Sequence, residues 1–429
     1  MTSGRIRAAI GVAIGVVMLL GVAGCGNGSS GSKGKTTLTF WGRNNDINPT
    51  LASRFNASHG NLEVKLTTVP DDQYVNKLGS AVRGGSAPDI VGFDDINGPL
   101  FAATSVLQDI TSRVNALPFK NVLDVGQMNL STYQDRIYAT PHVGGPSMLM
   151  YNKGLFKKAG LDPDKPPANW AEIEADSKKI TALGGGVYGY SLPGDCGGCM
   201  IYTVSPLIWA SGGKMMTEPG PDQQTTFNTP EVAEALSFYR RLWVEKQVAP
   251  ADKSETGATW GQNFANGKVG IWVGTPQQIP TAQKAGVDVG IAPIPGKNGD
   301  FSTFHGGDLL GISAGSKHPD DAWTFVTWAL EKDQQLLNTK ATLAPIRSDI
   351  LTSDFSKRYP YIAAEVEASR KGDAERSVAA SAISNDANGP WLTAVSQIVF
   401  SGADPAKALA AADASAKKLI EQAYAGIGG

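Results

Sequence analysis

With 429 residues, 41% of them hydrophobic and 18% charged, the chain has a globular composition and is too long for one typical core, so two domains are expected. Its 38 basic and 40 acidic side chains leave a formal charge of −2 without blocks of like charge. That mildly acidic balance argues against intrinsic disorder and against nucleic acid as a partner.

Arg5 and Arg7 form a basic head before the apolar, small-residue run Ala8 to Gly24, AAIGVAIGVVMLLGVAG. The pattern predicts an export signal over 1–24. An uncleaved transmembrane anchor is the competing reading, because the run is near the lower length limit for a bilayer span. The tetrapeptide VAGC, Val22 to Cys25, resembles the lipobox of bacterial lipoproteins. That resemblance implies that Cys25 carries diacylglycerol and becomes the first residue after cleavage. Acyl chains, at roughly 0.8 kcal/mol per buried methylene, would then hold the protein at the membrane. Residues 25–35, rich in Gly, Ser and Lys, read as a flexible tether. The expected location is the extracytoplasmic face of the cell membrane.

Further along, TTLTFWG alternates as a first strand and runs into GRNND. INPTLASRFNASH places Ile47, Leu51 and Phe55 on one helical stripe, and NLEVKLTTV alternates again. DDQYVNKLGSAVRGG predicts a helix with Val75, Leu78 and Val82 on one face, and APDIVGF a short buried strand. This β-α-β-α-β order predicts an α/β fold whose sheet is mainly parallel. Ligands of such sheets bind beyond the carboxyl ends of the strands, here Trp41 to Asn45 and Phe93 to Asp95. Later segments continue the alternation of strands and helices, and residues from about Ser348 to Ala425 read as helical with Gly/Pro breaks. Trp170, Trp243, Trp323 and Trp328 fall in helical stretches and are expected in cores.

Cys196 and Cys199 stand in SLPGDCGGCMIY, which reads as a loop. In an exported protein that spacing favours a local disulfide. Free thiols and a redox or metal role remain open, although a redox role needs the first cysteine at a helix N-terminus. Four histidines, His59, His142, His305 and His318, are too few for most metal sites, and no metal or cofactor is expected. No G-x-S-x-G elbow, P-loop or H-E-x-x-H motif occurs. Asp94 and Asp95 could serve a glycoside hydrolase, but neighbours on one strand point to opposite sides, so a loop-end role is favoured over catalysis. Trp41 beside Arg43, Asn44 and Asn45 has the residue types that stack on and fork to sugars. A core role for Trp41 is equally open.

The order of segments resembles the extracellular solute-binding proteins of family 1, the maltose-binding-protein-like receptors of sugar ABC importers. The matching pieces are APDIVGFDD, IYATPHVGGPSMLMYNKGLFKKAGL, SPLIWASGGKM, VGIWVGTP, VGIAPIPG, GGDLLGIS and LAPIRSD, preceded by LTFWGRNN. The resemblance implies a two-lobe periplasmic-binding-protein fold, type II-like, with a carbohydrate held between the lobes. It also implies a monomer that has no catalytic activity and delivers its ligand to ABC permease subunits. Lobe one would span 36–143 plus 304–342, and lobe two 146–302 plus 346–429. The chain crossings would fall near His142 to Pro146, Ser302 to His305 and Thr342 to Arg347.

Carried over position by position, the resemblance assigns ligand contacts to Arg43, Asn44, Asn45, Phe93, Asp94 and Asp95 in the first two strand-end loops. It adds His142 and Gly145 at the first crossing, Tyr202 near the cysteines, and Gly274 and Gln277 after a strand, with Trp272 either in the site or in the core. Gly306, Gly307, Asp308, Arg347 and Trp391 complete the set, the last as a late stacking aromatic. The alternative ligand is another polar solute, a polyol, an amino-sugar derivative or a glycerophosphodiester, and Arg43 and Arg347 converging would favour an anionic head group. Two departures bear on the sugar. Where maltose-type members carry an acid at the first crossing this chain has VGGP, and Pro276 replaces an expected tryptophan.

Overall fold

The computed structural model describes residues 34–427 other than Asp46 and Thr342. The leader at 1–24 and the lipidation site Cys25 lie outside the described residues, as does most of the tether at 25–35. No helix among the described residues is long and apolar enough to cross a membrane.

Two sheets organise the chain. The first contains β1 (Thr36–Gly42), β2 (Leu62–Thr68), β3 (Ile90–Asp94), β4 (Ala139–Gly144) and, from much later, the strand Gly307–Ile312. The second contains β5 (Met148–Asn152), β6 (Tyr188–Tyr190), β7 (Val269–Gly274) and β8 (Val289–Ala292), so Gly307–Ile312 is β9. Their orders are β2-β1-β3-β9-β4 and β8-β5-β7-β6.

Local pattern and burial agree in the first sheet. Leu38 and Phe40 of β1 are buried while Thr39 between them is exposed. The helix α1 (Ile47–Ser58) buries Ile47, Leu51 and Phe55, and Phe55 meets Phe325 edge-on at 5.1 Å. The β1–β2 and β1–β3 pairs are parallel, as the β-α-β order requires. The expectation of mainly parallel sheets fails at β9, which is antiparallel to both β3 and β4. In the second sheet β5 is antiparallel to β7 and β8, and only β6–β7 is parallel. Strands that enter a sheet from the other half of the molecule have no crossover helix to impose direction, so sequence order cannot reveal their sense.

The helices of the second half bury one continuous core around Trp170, which stacks on Phe238 at 5.1 Å. The last helix (Pro405–Ile427) also fixes a distant loop. Asp413 accepts from the amides of Phe227 and Asn228, both at 2.9 Å, and from the Thr225 hydroxyl. Removing a charged acceptor leaves those donors unmatched, so Asp413→Ala is expected to cost about 2 kcal/mol in urea denaturation.

Cys196 and Cys199 are joined, with their Cα atoms 5.2 Å apart. The loop expected around them is a correction: Cys196 caps a 13-residue helix, Gly197–Trp209, and its sulfur accepts from the Cys199 amide. Two consecutive glycines hide the helix from propensity.

Between the sheets the passing segments bond to one another. Gly144 exchanges amide–carbonyl bonds with Ala344, Gly145 donates to the Gly306 carbonyl, and Ser147 donates to that of Phe304. Gly307 has φ of 144°, and a Cβ there would lie 1.9 Å from the Val143 carbonyl oxygen. Only glycine permits that approach. Leu343 and Ile346, in the segment where the third crossing is expected, pack into the first sheet's core.

Candidate functional site

Asp308 near the start of β9, Arg43 just past the end of β1 and Asp94 at the end of β3 converge because β9 lies beside β3 with Asp308 opposite Asp94. Arg43 Nη1 donates to Asp308 Oδ1 at 2.6 Å, and Nη2 lies 3.2 Å from Asp94 Oδ2. Asn45 Nδ2 donates to the other Asp308 oxygen at 2.8 Å. The Asn45 side-chain oxygen, Oδ1, in turn caps α1, accepting from the Ile47 and Asn48 amides. A helix cap therefore orients one polar group of the site.

Asn48 is buried and donates to the Arg43 carbonyl, while His142 Nε2 meets the Asn48 carboxamide oxygen at 2.9 Å. Burial pulls the imidazole down to about 4, so His142 is neutral at physiological pH and acts as a brace. Asp95 is also buried, 3.3 Å from Gln127 Nε2. Burial first, then the neighbouring Asp94 charge, raises its carboxyl well above the usual range.

Arg43, Asn44, Asn45 and Asp308 form one wall of a cavity of about 420 Å³. Tyr202, Trp260, Thr275 and Gln277 face them from the second half, and Gly144, Gly145 and Gly307 make the floor. Tyr202 donates its hydroxyl to the Gly145 carbonyl. Trp260 meets Tyr202 edge-on with ring centres 5.5 Å apart, and its indole N–H has no hydrogen-bond partner among the described residues. Arg43 also lines a second cavity of about 650 Å³, with Asp94, Tyr74, Asn76 and Asn97 from the first half of the chain and Ser381, Asn385 and Asp386 from the second. A groove of about 690 Å³ near Trp209 and Arg376 is slightly larger, but no strand-end loop of the first sheet reaches it.

Arg43 is the only basic residue among the described residues lining the two cavities, against Asp94, Asp308 and Asp386. Its guanidinium already bridges two carboxylates. The arrangement offers forks for hydroxyl groups and aromatic rings for C–H surfaces.

Several expected contacts lie elsewhere. Phe93 is fully buried against Phe101. Trp272 is fully buried between Phe264 and Trp260, and a Cβ on Gly274 would strike its ring, so both back the cavity wall without reaching its surface. Arg347 is held by Asp349 and the Leu330 carbonyl and stacks on Phe119, so it does not converge with Arg43. Trp391 is fully buried against Phe227. Trp41 lies under Lys77 and lines neither cavity. Gly306 supports the floor with its carbonyl rather than lining the larger spaces. Asp94 and Asp95 do not flank a common space, since one is tied to Arg43 and the other is buried. Sequence reasoning missed Trp260, whose setting TGATWGQNF, a bulky aromatic among small and polar residues without helical periodicity, was the available signal.

Five residues before Trp260, Glu255 is buried with one carboxyl oxygen lacking a hydrogen-bond partner among the described residues. Burial, reinforced by Asp252, pushes its carboxyl up from 4.5 to about 8. Between those values the unfolded chain releases a proton that the folded protein retains, so stability falls as pH rises through that window. Glu255→Gln is expected to remove this part of the slope. In calorimetry its Tm should equal that of the wild type near pH 4.5 and exceed it above pH 8.

The chain is thus an α/β protein with two sheets joined by passing segments and a polar cavity lined in part by aromatic side chains. A profile of bacterial extracellular solute-binding proteins matches residues 47–336, and the chain belongs to that family, one of binding proteins rather than enzymes. Among its relatives, the diacetylchitobiose-binding protein DasA of Streptomyces coelicolor is 26% identical over 97% of this chain and 99% of its own length. The maltotriose-binding protein of Pyrococcus abyssi is 24% identical over 73% of this chain and 66% of its own. The cyclic alpha-maltosyl-1,6-maltose binding protein of Arthrobacter globiformis has a similar fold, with a TM-score of 0.77 and 24% identity over 91% of this chain and all of its own.

Proposed function

We propose that this chain is the substrate-binding receptor of an ABC importer, taking a neutral carbohydrate between its lobes and passing it to the permease. The observation that carries the reading is the Arg43–Asp308–Asn45 cluster facing Trp260 and Tyr202 across one cavity. Lobe one comprises 36–143 and the segment containing β9, and lobe two comprises 146–302 and the C-terminal helices. Ligand favours the closed form through contacts that the open form lacks. Glycines at the crossings support a hinge there.

Relatives named for glycerol 3-phosphate and a fold neighbour solved with ribitol keep other polar solutes in view. The paired state of Arg43 and the acidic lining favour an uncharged ligand over a phosphate. A thermal-shift and titration panel of maltotriose, mannobiose, diacetylchitobiose, ribitol and glycerol 3-phosphate tests this. A ligand at 100 times its Kd adds about 2.7 kcal/mol of stability. A neutral sugar should shift the transition and glycerol 3-phosphate should not; the reverse result would overturn the reading.

The receptor is held at the extracytoplasmic face of the membrane through lipidated Cys25. Cys25→Ser is expected to move it from the membrane to the soluble fraction of a host that processes lipoproteins.

A further inference from the structure

Three elements from different parts of the sequence build the second-lobe side of the cleft: the helix carrying Tyr202, the loop carrying Trp260, and the segment carrying Asn385 and Asp386. The Cys196–Cys199 turn touches all of them. The disulfide lies in the first turn of the Tyr202 helix, with Tyr202 three residues beyond Cys199. Gly257, three residues before Trp260, packs on it so closely that a Cβ there would stand 3.6 Å from Cys196 Sγ and 3.8 Å from Cys199 Sγ. A Cβ on Gly197 would lie 2.5 Å from the Ser384 carbonyl oxygen, and one on Gly198 would lie 2.6 Å from Asn385 Oδ1. The two glycines between the cysteines thus let the cross-linked turn seat directly under the Asn385 segment.

We infer that the Cys196–Cys199 disulfide is a positioning element of the ligand site, holding three separate wall segments in register; this rests on the carbohydrate reading above. Closing so short a loop restricts the unfolded chain little compared with a long-range cross-link. Its principal effect is therefore local. A wall held ready for the ligand spares the ordering cost that binding would otherwise carry.

Hydrogen exchange on the unliganded protein tests the inference without needing the sugar. In Cys196→Ser/Cys199→Ser, amides of 256–261 and 384–387 should exchange at least tenfold faster, while those of β1 and β9 keep wild-type rates. Gly198→Ala leaves the disulfide in place and pushes Asn385. It should loosen 384–387 alone, with an unchanged thermal midpoint, and it serves also if the double variant does not fold. Unchanged exchange at the wall, or an equal increase throughout the chain, would overturn the inference. Where maltotriose, mannobiose or diacetylchitobiose binds the wild type, the double variant should bind it at least tenfold more weakly, and equal affinity would likewise overturn it. If the wild type binds none of these sugars, the carbohydrate reading fails while the exchange result still decides whether the disulfide orders the wall.

Discussion

Asp308→Ala is expected to weaken ligand binding by about 100-fold, equivalent to about 2.7 kcal/mol. Asp308 is 5% exposed, and its two oxygens receive Arg43 and Asn45 separately. Without it the guanidinium is drawn toward Asp94, and Asn45 keeps its helix cap but loses the partner that aims its amide. Two hydroxyl-binding groups are then misplaced together, and one of them is a charge left short of its buried counterion. Asp308→Asn keeps an acceptor of the same shape and should lose less. Titration calorimetry of both variants with the sugar that binds the wild type measures the effect. Binding by Asp308→Ala within twofold of wild type would remove the cluster from the site.

Trp260→Ala should weaken the same ligand by about 30-fold, in the range of a stacking aromatic removed from the centre of a contact. Its ring is held by edge contacts with Tyr202 and Trp272, both with centres 5.5 Å away. The alanine variant should also lose stability, because Trp272 behind it loses a neighbour. Trp260→Phe separates the two effects: it retains a flat face toward the cavity and should recover most of the affinity. Fluorescence titration reads this directly. Equal losses in the phenylalanine and alanine variants would mean that a stacking face is not what the ligand uses.

The asymmetry of the cleft also explains why anions are expected to be poor ligands. Arg43 is a cation whose field is spent on two carboxylates. A phosphate would have to displace one of them while facing the other.

From the sequence alone the local elements were legible. Leu38 and Phe40 alternate, and Ile47, Leu51 and Phe55 recur every four residues, because strand and helix periods depend only on near neighbours. The strand-end loops were legible for the same reason, and they supplied Arg43, Asn45 and Asp94, while the family resemblance supplied Asp308 and Tyr202. Tertiary structure alone decided which of the chosen side chains reach the space between the sheets. Phe93 turns inward against Phe101 of the helix that follows its strand, and Trp391 against Phe227, a residue remote in sequence. Arg347 is occupied by its near neighbour Asp349 and by the distant Phe119, and His142 by Asn48, and packing alone fixes the two distant partners. Trp260 enters the wall from a loop that follows no strand, so the rule that located the other loops passes over it. Burial and pairing are properties of the assembled chain. Local patterns settle which face an element hides, but not which distant residue will cover it.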